Sequence, residues 1–133
     1  MNPALASRIS IYPAGLSDSG NDVALLAEDG VINPGARVDA DAMPMTTIDT
    51  IALDKLPSVD FIKMDIEGSE LAALRGAEGS IRRWRPRLAI SLYHRPEDFF
   101  TIPAWIDSLG VGYRFFLDHY SIHHEETVLY AMV

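Results

Sequence analysis

Lys63, Asp65 and Glu67 occupy every second position of the run Phe61-Ile62-Lys63-Met64-Asp65-Ile66-Glu67-Gly68-Ser69-Glu70-Leu71. That period is the pattern of a strand, with the three charges on one face and Ile62, Met64 and Ile66 on the other. A lysine and two carboxylates on an otherwise apolar strand are costly to bury unless they pair or bind something. The run ends in acidic side chains, turns at Gly68 and enters a helix. At the C-terminal end of a parallel strand, this is where open α/β sheets place their ligands. A bland reading is also open: Asp65 pairs with Lys63, and Glu67 caps the helix that follows. Lys63 itself fits an ion-pair partner better than a catalytic lysine.

His94 follows a second apolar run, Leu88 to Tyr93, and should face the same sheet edge. Its unperturbed pKa near neutrality suits a general base towards a hydroxyl. A surface histidine next to Pro96 is the alternative. Ser17 and Asp18 fall after the apolar run Ile9 to Tyr12, where Ser-Asp-Ser-Gly is also sufficient as a plain turn. His119, His123 and His124, with Asp118, Glu125 and Glu126, invite a metal reading. Adjacent residues of an extended segment point to opposite sides, so His123 and His124 cannot chelate one ion together. No histidine pair has the i, i+4 spacing of a helical zinc motif. That segment reads as a solvated turn, and no metal site is expected.

The elements that must carry these groups differ between two regions. Residues 13 to 47 are broken by Pro13, Gly15, Gly20, Gly30, Pro34, Gly35 and Pro44. Ile9 to Tyr12 and Val23 to Ala27, separated by Ser17-Asp18-Ser19-Gly20-Asn21, read as an N-terminal β-hairpin or extended excursion, and Asn33-Pro34-Gly35 as another turn. From residue 48 the pattern alternates. A short helix is expected over Thr50 to Leu56 with Asp49 as N-cap. The strand Asp60 to Ile66 follows, then one helix over Ser69 to Arg83, stopped by Pro86. Leu88 to Tyr93 is a strand. Pro96 to Leu109 is a helix with Phe99, Ile102, Trp105 or Ile106, and Leu109 inward. Tyr113 to Leu117 and Thr127 to Val133 are strands joined through a turn over Ser121 to Glu126. Strand–helix–strand–helix–strand requires a largely parallel sheet, and the short last connection makes the final strand antiparallel. The fold class is α/β.

At 133 residues the chain is one domain by length, organised as a strand-and-hairpin excursion over 1–47 and an alternating core over 48–133. It is 48% hydrophobic, which is too apolar for disorder. A net charge of −8 argues against nucleic-acid backbone binding. Arg82, Arg83, Arg85 and Arg87 crowd one helix end, where the macrodipole favours positive charge. There are no cysteines, which removes disulfides, thiolate metal sites and cysteine nucleophiles. No apolar run reaches membrane-spanning length and the N-terminus lacks a secretory pattern, so no membrane partner and a cytoplasmic location are expected.

Thr46-Thr47-Ile48-Asp49, Val59-Asp60-Phe61-Ile62-Lys63-Met64-Asp65-Ile66-Glu67-Gly68-Ser69-Glu70 and Leu74-Arg75-Gly76-Ala77 together resemble the FkbM-type S-adenosylmethionine-dependent methyltransferases. Pro13-Ala14-Gly15-Leu16-Ser17-Asp18 is similar to the segment that follows the third strand in that family. The resemblance implies a Rossmann-like sheet in the order 3-2-1-4-5-7-6 with strand 7 antiparallel. Ile9 to Tyr12 would be strand 3, Asp60 to Ile66 strand 4, Leu88 to Tyr93 strand 5, and the last two strands 6 and 7. It further implies S-adenosylmethionine as cofactor, with Ser17, Asp18 and Asp65 binding it. Asp65, Glu67 and His94 would serve methyl transfer to an oxygen of a small-molecule or glycan acceptor. The family's glycine-rich loop after strand 1 and its acidic residue after strand 2 have no counterpart in these residues. Gly110-Val111-Gly112 leads into a strand, not a helix, and is a loop rather than a cofactor cradle. The chain therefore resembles the C-terminal two-thirds of a methyltransferase domain. The alternative is a catalytically empty α/β module used for interaction or assembly.

Without strands 1 and 2, the strand bearing Asp65 has a free edge, which is unstable against pairing. The expectation is that Ile9 to Tyr12 collapses onto it, or that a second copy covers residues 60–66 in a homodimer.

Overall fold

The computed structural model describes residues 6–20, 23–26, 32–34, 43–121 and 126–133. Among them two sheets and four helices form. The first sheet contains β1 (Gly15–Leu16), β2 (Val23–Leu26), β3 (Ile32–Pro34) and β4 (Met43–Thr46) in the order β1-β4-β2-β3. β1 runs parallel to β4, and β2 is antiparallel to both β4 and β3. This corrects the expected N-terminal pairing. Ile9 to Tyr12 forms no strand, and Ile9, Ile11 and Tyr12 are exposed. Pairing begins only after Pro13, whose ring removes a ladder donor. β2 pairs with β3 and β4 instead, so Asn33 and Pro34 sit in a strand rather than a turn, and Gly35 lies outside the described residues.

After β4 comes helix α1 (Ile48–Ala52), earlier and shorter than expected. Its N-cap is Thr47, whose Oγ1 accepts the Thr50 amide at 3.0 Å. Asp49 is therefore free to work elsewhere. Its carboxylate accepts the Gly79 amide at 2.8 Å, the Ser80 amide at 2.7 Å and the Ser80 hydroxyl at 2.6 Å. These are the first-turn donors of a separate helix, because the single helix expected over Ser69 to Arg83 is two: α2 (Glu70–Arg75) and α3 (Glu78–Trp84). The break lies at Gly76-Ala77. A Cβ at Gly76 would collide with the Ser17 carbonyl oxygen, and the Gly76 carbonyl accepts the Asp49 amide at 2.9 Å. Close backbone approach and a captured helix start thus divide a segment whose side-chain period alone reads as continuous. α3 ends at Arg85 in the left-handed region, just before Pro86, as a helix stop signal requires.

The second sheet contains β5 (Phe61–Met64), β6 (Arg87–Ser91), β7 (Arg114–His119) and β8 (Thr127–Met132) in the order β5-β6-β8-β7. β5 and β6 are parallel, while β8 is antiparallel to β6 and β7. This is the 4-5-7-6 half of the expected order. Helix α4 (Asp98–Ser108) connects β6 to β7. Ile62, Met64, Leu88, Ile90, Leu129 and Ala131 point to one face and join Leu74, Ile81, Ile102 and Ile106 of the helices in one core. Register places Phe61, Lys63, Phe116 and Tyr130 on the opposite face, where Phe61 and Phe116 are 55% and 49% exposed. Lys63 is therefore not buried, so its charge is accommodated at little cost. β5 is a terminal strand of this sheet among the described residues, so Ile9 to Tyr12 does not close its edge.

Candidate active site at the carboxyl ends of β5 and β6

β5 ends at Met64 rather than at Ile66 because the chain reverses. Glu67 has φ 56° and Gly68 φ 86°, two successive residues in the left-handed region. For Glu67 that conformation stores strain of about 1–2 kcal/mol, of the kind that collects at functional sites. Gly68 bears none, having no Cβ. The reversal is closed by Glu70, the first residue of α2, whose Oε1 accepts the Ile66 amide at 2.8 Å. Glu70 is fully buried.

The parallel neighbour β6 delivers Tyr93 and His94 to the same edge. The Tyr93 hydroxyl donates to Asp65 Oδ1 at 2.8 Å. Burial alone would raise the Asp65 pKa, but the Tyr93 and Ser91 hydroxyls and Lys63, at 3.5 Å, outweigh it and hold the carboxyl below its ordinary range. The same hydrogen bond pushes the Tyr93 phenol up to about 12. His94, with a side chain only 9% exposed, sits among three carboxylates. Its Nε2 lies 3.5 Å from both Asp65 Oδ1 and Glu67 Oε2, and its Nδ1 lies 2.9 Å from Glu70 Oε1. Neither ring nitrogen meets an aligned hydrogen-bond partner, and Glu70 Oε2 is buried without one. Asp98, at the start of α4, is also buried; that burial, followed by the charge of Glu70, raises its carboxyl pKa.

Two clefts meet at Tyr93. One, of about 600 Å³, is lined by Tyr93, Pro96, Phe99, Phe100 and Thr127. The other, of about 270 Å³, is lined by Lys63, Asp65, Ser91, Tyr93, Tyr120, Glu126 and Val128. Phe99, expected on the inner face of its helix, instead lines the larger cleft and is 37% exposed. An apolar cleft ending at a few convergent polar groups is the ordinary form of a small-molecule site.

Asp65, Glu67 and His94 are thus brought together. Ser17 and Asp18 are not part of that cluster: Ser17 packs at Gly76, beyond the far end of α2, about 9 Å along the helix from Glu70. Its hydroxyl donates to Asp18 Oδ1 at 3.2 Å and the Ser19 amide approaches it, as in a polar turn. His119 Nδ1 is 2.8 Å from Thr127 Oγ1, while His123, His124 and Glu125 lie outside the described residues. Sequence reasoning passed over Glu70 and Tyr93. The acidic residue three positions after Glu67, at the opening of a helix, was the available signal for the first; nothing in spacing marks the second.

A family profile described as the methyltransferase FkbM domain matches residues 6–115. The chain belongs to the FkbM methyltransferase family. The solved FkbM methyltransferase of Methylobacillus flagellatus KT superposes with a TM-score of 0.74 at 35% sequence identity. The match covers 98% of this chain and 30% of that one, so this FkbM chain spans under a third of its relative's length. No protein of curated function matches it. Within the FkbM family motif, Asp65, Glu67 and Glu70 now have places at one sheet edge, whereas Asp49 and Gly76 join α1, α2 and α3. No described helix is long and apolar enough to cross a membrane.

Proposed function

We propose that this chain supplies one wall of the active site of an S-adenosylmethionine-dependent methyltransferase acting on an acceptor oxygen. The observation that carries the reading is the convergence of Asp65, Glu67 and His94 within 3.5 Å contacts at the ends of two adjacent parallel strands, in a chain of this family. The donor set fits the cofactor's chemistry. A sulfonium is cationic, and the carboxylate surplus around His94 favours a positive ligand over a neutral or anionic one. When bound, S-adenosylmethionine supplies an electrophilic methyl group.

The chain's own residues bind, orient and receive a proton. Asp65, fixed by Tyr93 and kept ionised, accepts a hydrogen bond from the cofactor's amino group or from the acceptor hydroxyl. The larger aromatic cleft holds the acceptor, a small molecule or glycan, with its hydroxyl directed past Tyr93. The proton leaving that hydroxyl passes to the Glu67–His94 pair at the mouth of the cluster. Positioning for in-line attack is the main catalytic contribution. Ser17 and Asp18, remote from the cluster, reach the cofactor only through a different part of it, such as the adenine ring.

Calorimetric titration of S-adenosylmethionine and S-adenosylhomocysteine into the purified chain tests this. Saturable binding, stronger for the cationic ligand relative to the neutral-sulfur one and weakened about tenfold by Asp65→Asn, is expected. Absence of heat up to near-millimolar ligand would overturn cofactor binding by this chain.

A further inference from the structure

The polar cluster contains more negative charge than its neighbours neutralise. Glu70 is fully buried, and its Oε2 has no hydrogen-bond partner. His94 is nine-tenths buried, and both of its nitrogens are likewise without an aligned partner. Asp65, Glu70 and His94 each bring one donor atom within 4.8 Å of the other two. Donor atoms around a first-row ion with bonds of about 2.1 Å are roughly 3–3.5 Å apart. His94 Nδ1 lies 2.9 Å from Glu70 Oε1 and Nε2, on the other side of the ring, lies 3.5 Å from Asp65 Oδ1, so only one of the two nitrogens can face an ion. From separations of up to 4.8 Å, the side chains need to close in by up to about 1–2 Å to hold it.

We infer that Asp65, Glu70 and His94 bind a divalent metal ion at the carboxyl ends of β5 and β6. The three ligands come from different elements: the end of a strand, the first turn of a helix and the segment after the next strand. For that reason no local spacing in the sequence reveals the site. One imidazole and two carboxylates select a first-row ion such as Mn²⁺ or Zn²⁺ over Ca²⁺, which prefers an all-oxygen cage. The ion satisfies Glu70 Oε2 and one imidazole nitrogen, neither of which has an aligned hydrogen-bond partner. Tyr93 and Lys63 hold Asp65 from outside, as outer partners orient metal ligands. With the ion bound, His94 is a ligand rather than a proton acceptor, and Glu67, two-thirds exposed and 3.5 Å from Nε2, receives the proton of an acceptor hydroxyl alone. Binding of the ion does not depend on the methyltransferase reading, and its test needs no methyl donor.

The test is titration of Mn²⁺ into the purified full chain, read by loss of the free-ion electron paramagnetic resonance signal, with Zn²⁺ measured by calorimetry. One ion per chain is expected, with pulsed resonance showing coupling of bound Mn²⁺ to an imidazole nitrogen. His94→Gln and Asp65→Asn should each weaken binding at least tenfold, with circular dichroism confirming that they fold. Because Glu70→Gln disturbs a buried site, the nitrogen coupling in the unmodified protein serves as the variant-independent readout. Absence of stoichiometric binding, binding unaffected by both variants, or bound Mn²⁺ with no nitrogen coupling would each overturn the site.

Discussion

Asp49→Ala is expected to cost about 3–4 kcal/mol, more than an ordinary cap, because its carboxylate serves a helix thirty residues away. Three donors lose their acceptor: the Gly79 amide, the Ser80 amide and the Ser80 hydroxyl, at 2.8, 2.7 and 2.6 Å. Hydrogen bonds to a charged group contribute about 1.5–3 kcal/mol each, but three on one carboxylate are not additive. Ser80 is fully buried, so water cannot readily replace the lost oxygen. For a domain of this size the loss lowers the melting temperature by roughly 10–15 °C. Urea unfolding followed by far-ultraviolet circular dichroism measures it, with Thr47→Ala as the internal standard. That variant removes only the local cap of α1, a hydrogen bond to the Thr50 amide at 3.0 Å, and should cost about 1 kcal/mol. Asp49→Asn, which keeps one acceptor oxygen, should fall between the two. If Asp49→Ala costs no more than Thr47→Ala, the joint between α1 and α3 is not carried by this carboxylate.

Gly76→Ala should destabilise by about 1–3 kcal/mol despite alanine's better helix propensity, because its methyl meets the Ser17 carbonyl; unchanged or improved stability in urea would refute that contact. The Tyr113 hydroxyl donates to the Pro86 carbonyl at 2.6 Å, and burial pushes its pKa up to about 12. A folded pKa above the ordinary value of 10 means that the neutral phenol's contribution is intact below pH 10 and lost as pH rises through 12, up to about 2–3 kcal/mol. Wild type should therefore exceed Tyr113→Phe in stability at pH 8 and lose that advantage by pH 12, whereas a gap independent of pH would refute the linkage. Asp98 has the same sense as Tyr113 at lower pH: its folded pKa is raised by burial and by Glu70, so its ionisation destabilises the fold as pH rises above the carboxylate range. Asp98→Asn should raise the melting temperature at pH 7 and leave it unchanged at pH 3; a loss at pH 7 would contradict this.

Much of the second half was legible because its signals are local. Alternation over residues 61–66 gave the face of every side chain, and Pro86 and Gly110 marked helix ends that the structure retains within a residue or two. The acidic pair and His94 could be placed together because parallel strands must present their carboxyl ends on one edge. What stayed hidden depends on contacts between distant segments. The break at Gly76 is set by Ser17, nearly sixty positions earlier, and the role of Asp49 by Gly79 and Ser80. Ile9 to Tyr12 has the composition of a strand but no available ladder, which shows propensity yielding to pairing. Glu70 reads as a routine first-turn acid. Its importance lies in being buried against His94, a fact of packing rather than spacing.

The place of β8 between β6 and β7 bears on how the chain folds as it is synthesised. This strand follows both of its neighbours in sequence, so no shorter nascent length contains the interior of the sheet. At about 5–20 residues per second, β6 waits roughly 2–7 s after its own synthesis before its antiparallel partner is made. During that interval Leu88 and Ile90 have β5 on one side only, and the other edge of β6 stays unpaired. Stalling between residues 91 and 127 would leave an adhesive intermediate, whereas release of residues 127–132 completes the ladder in one step.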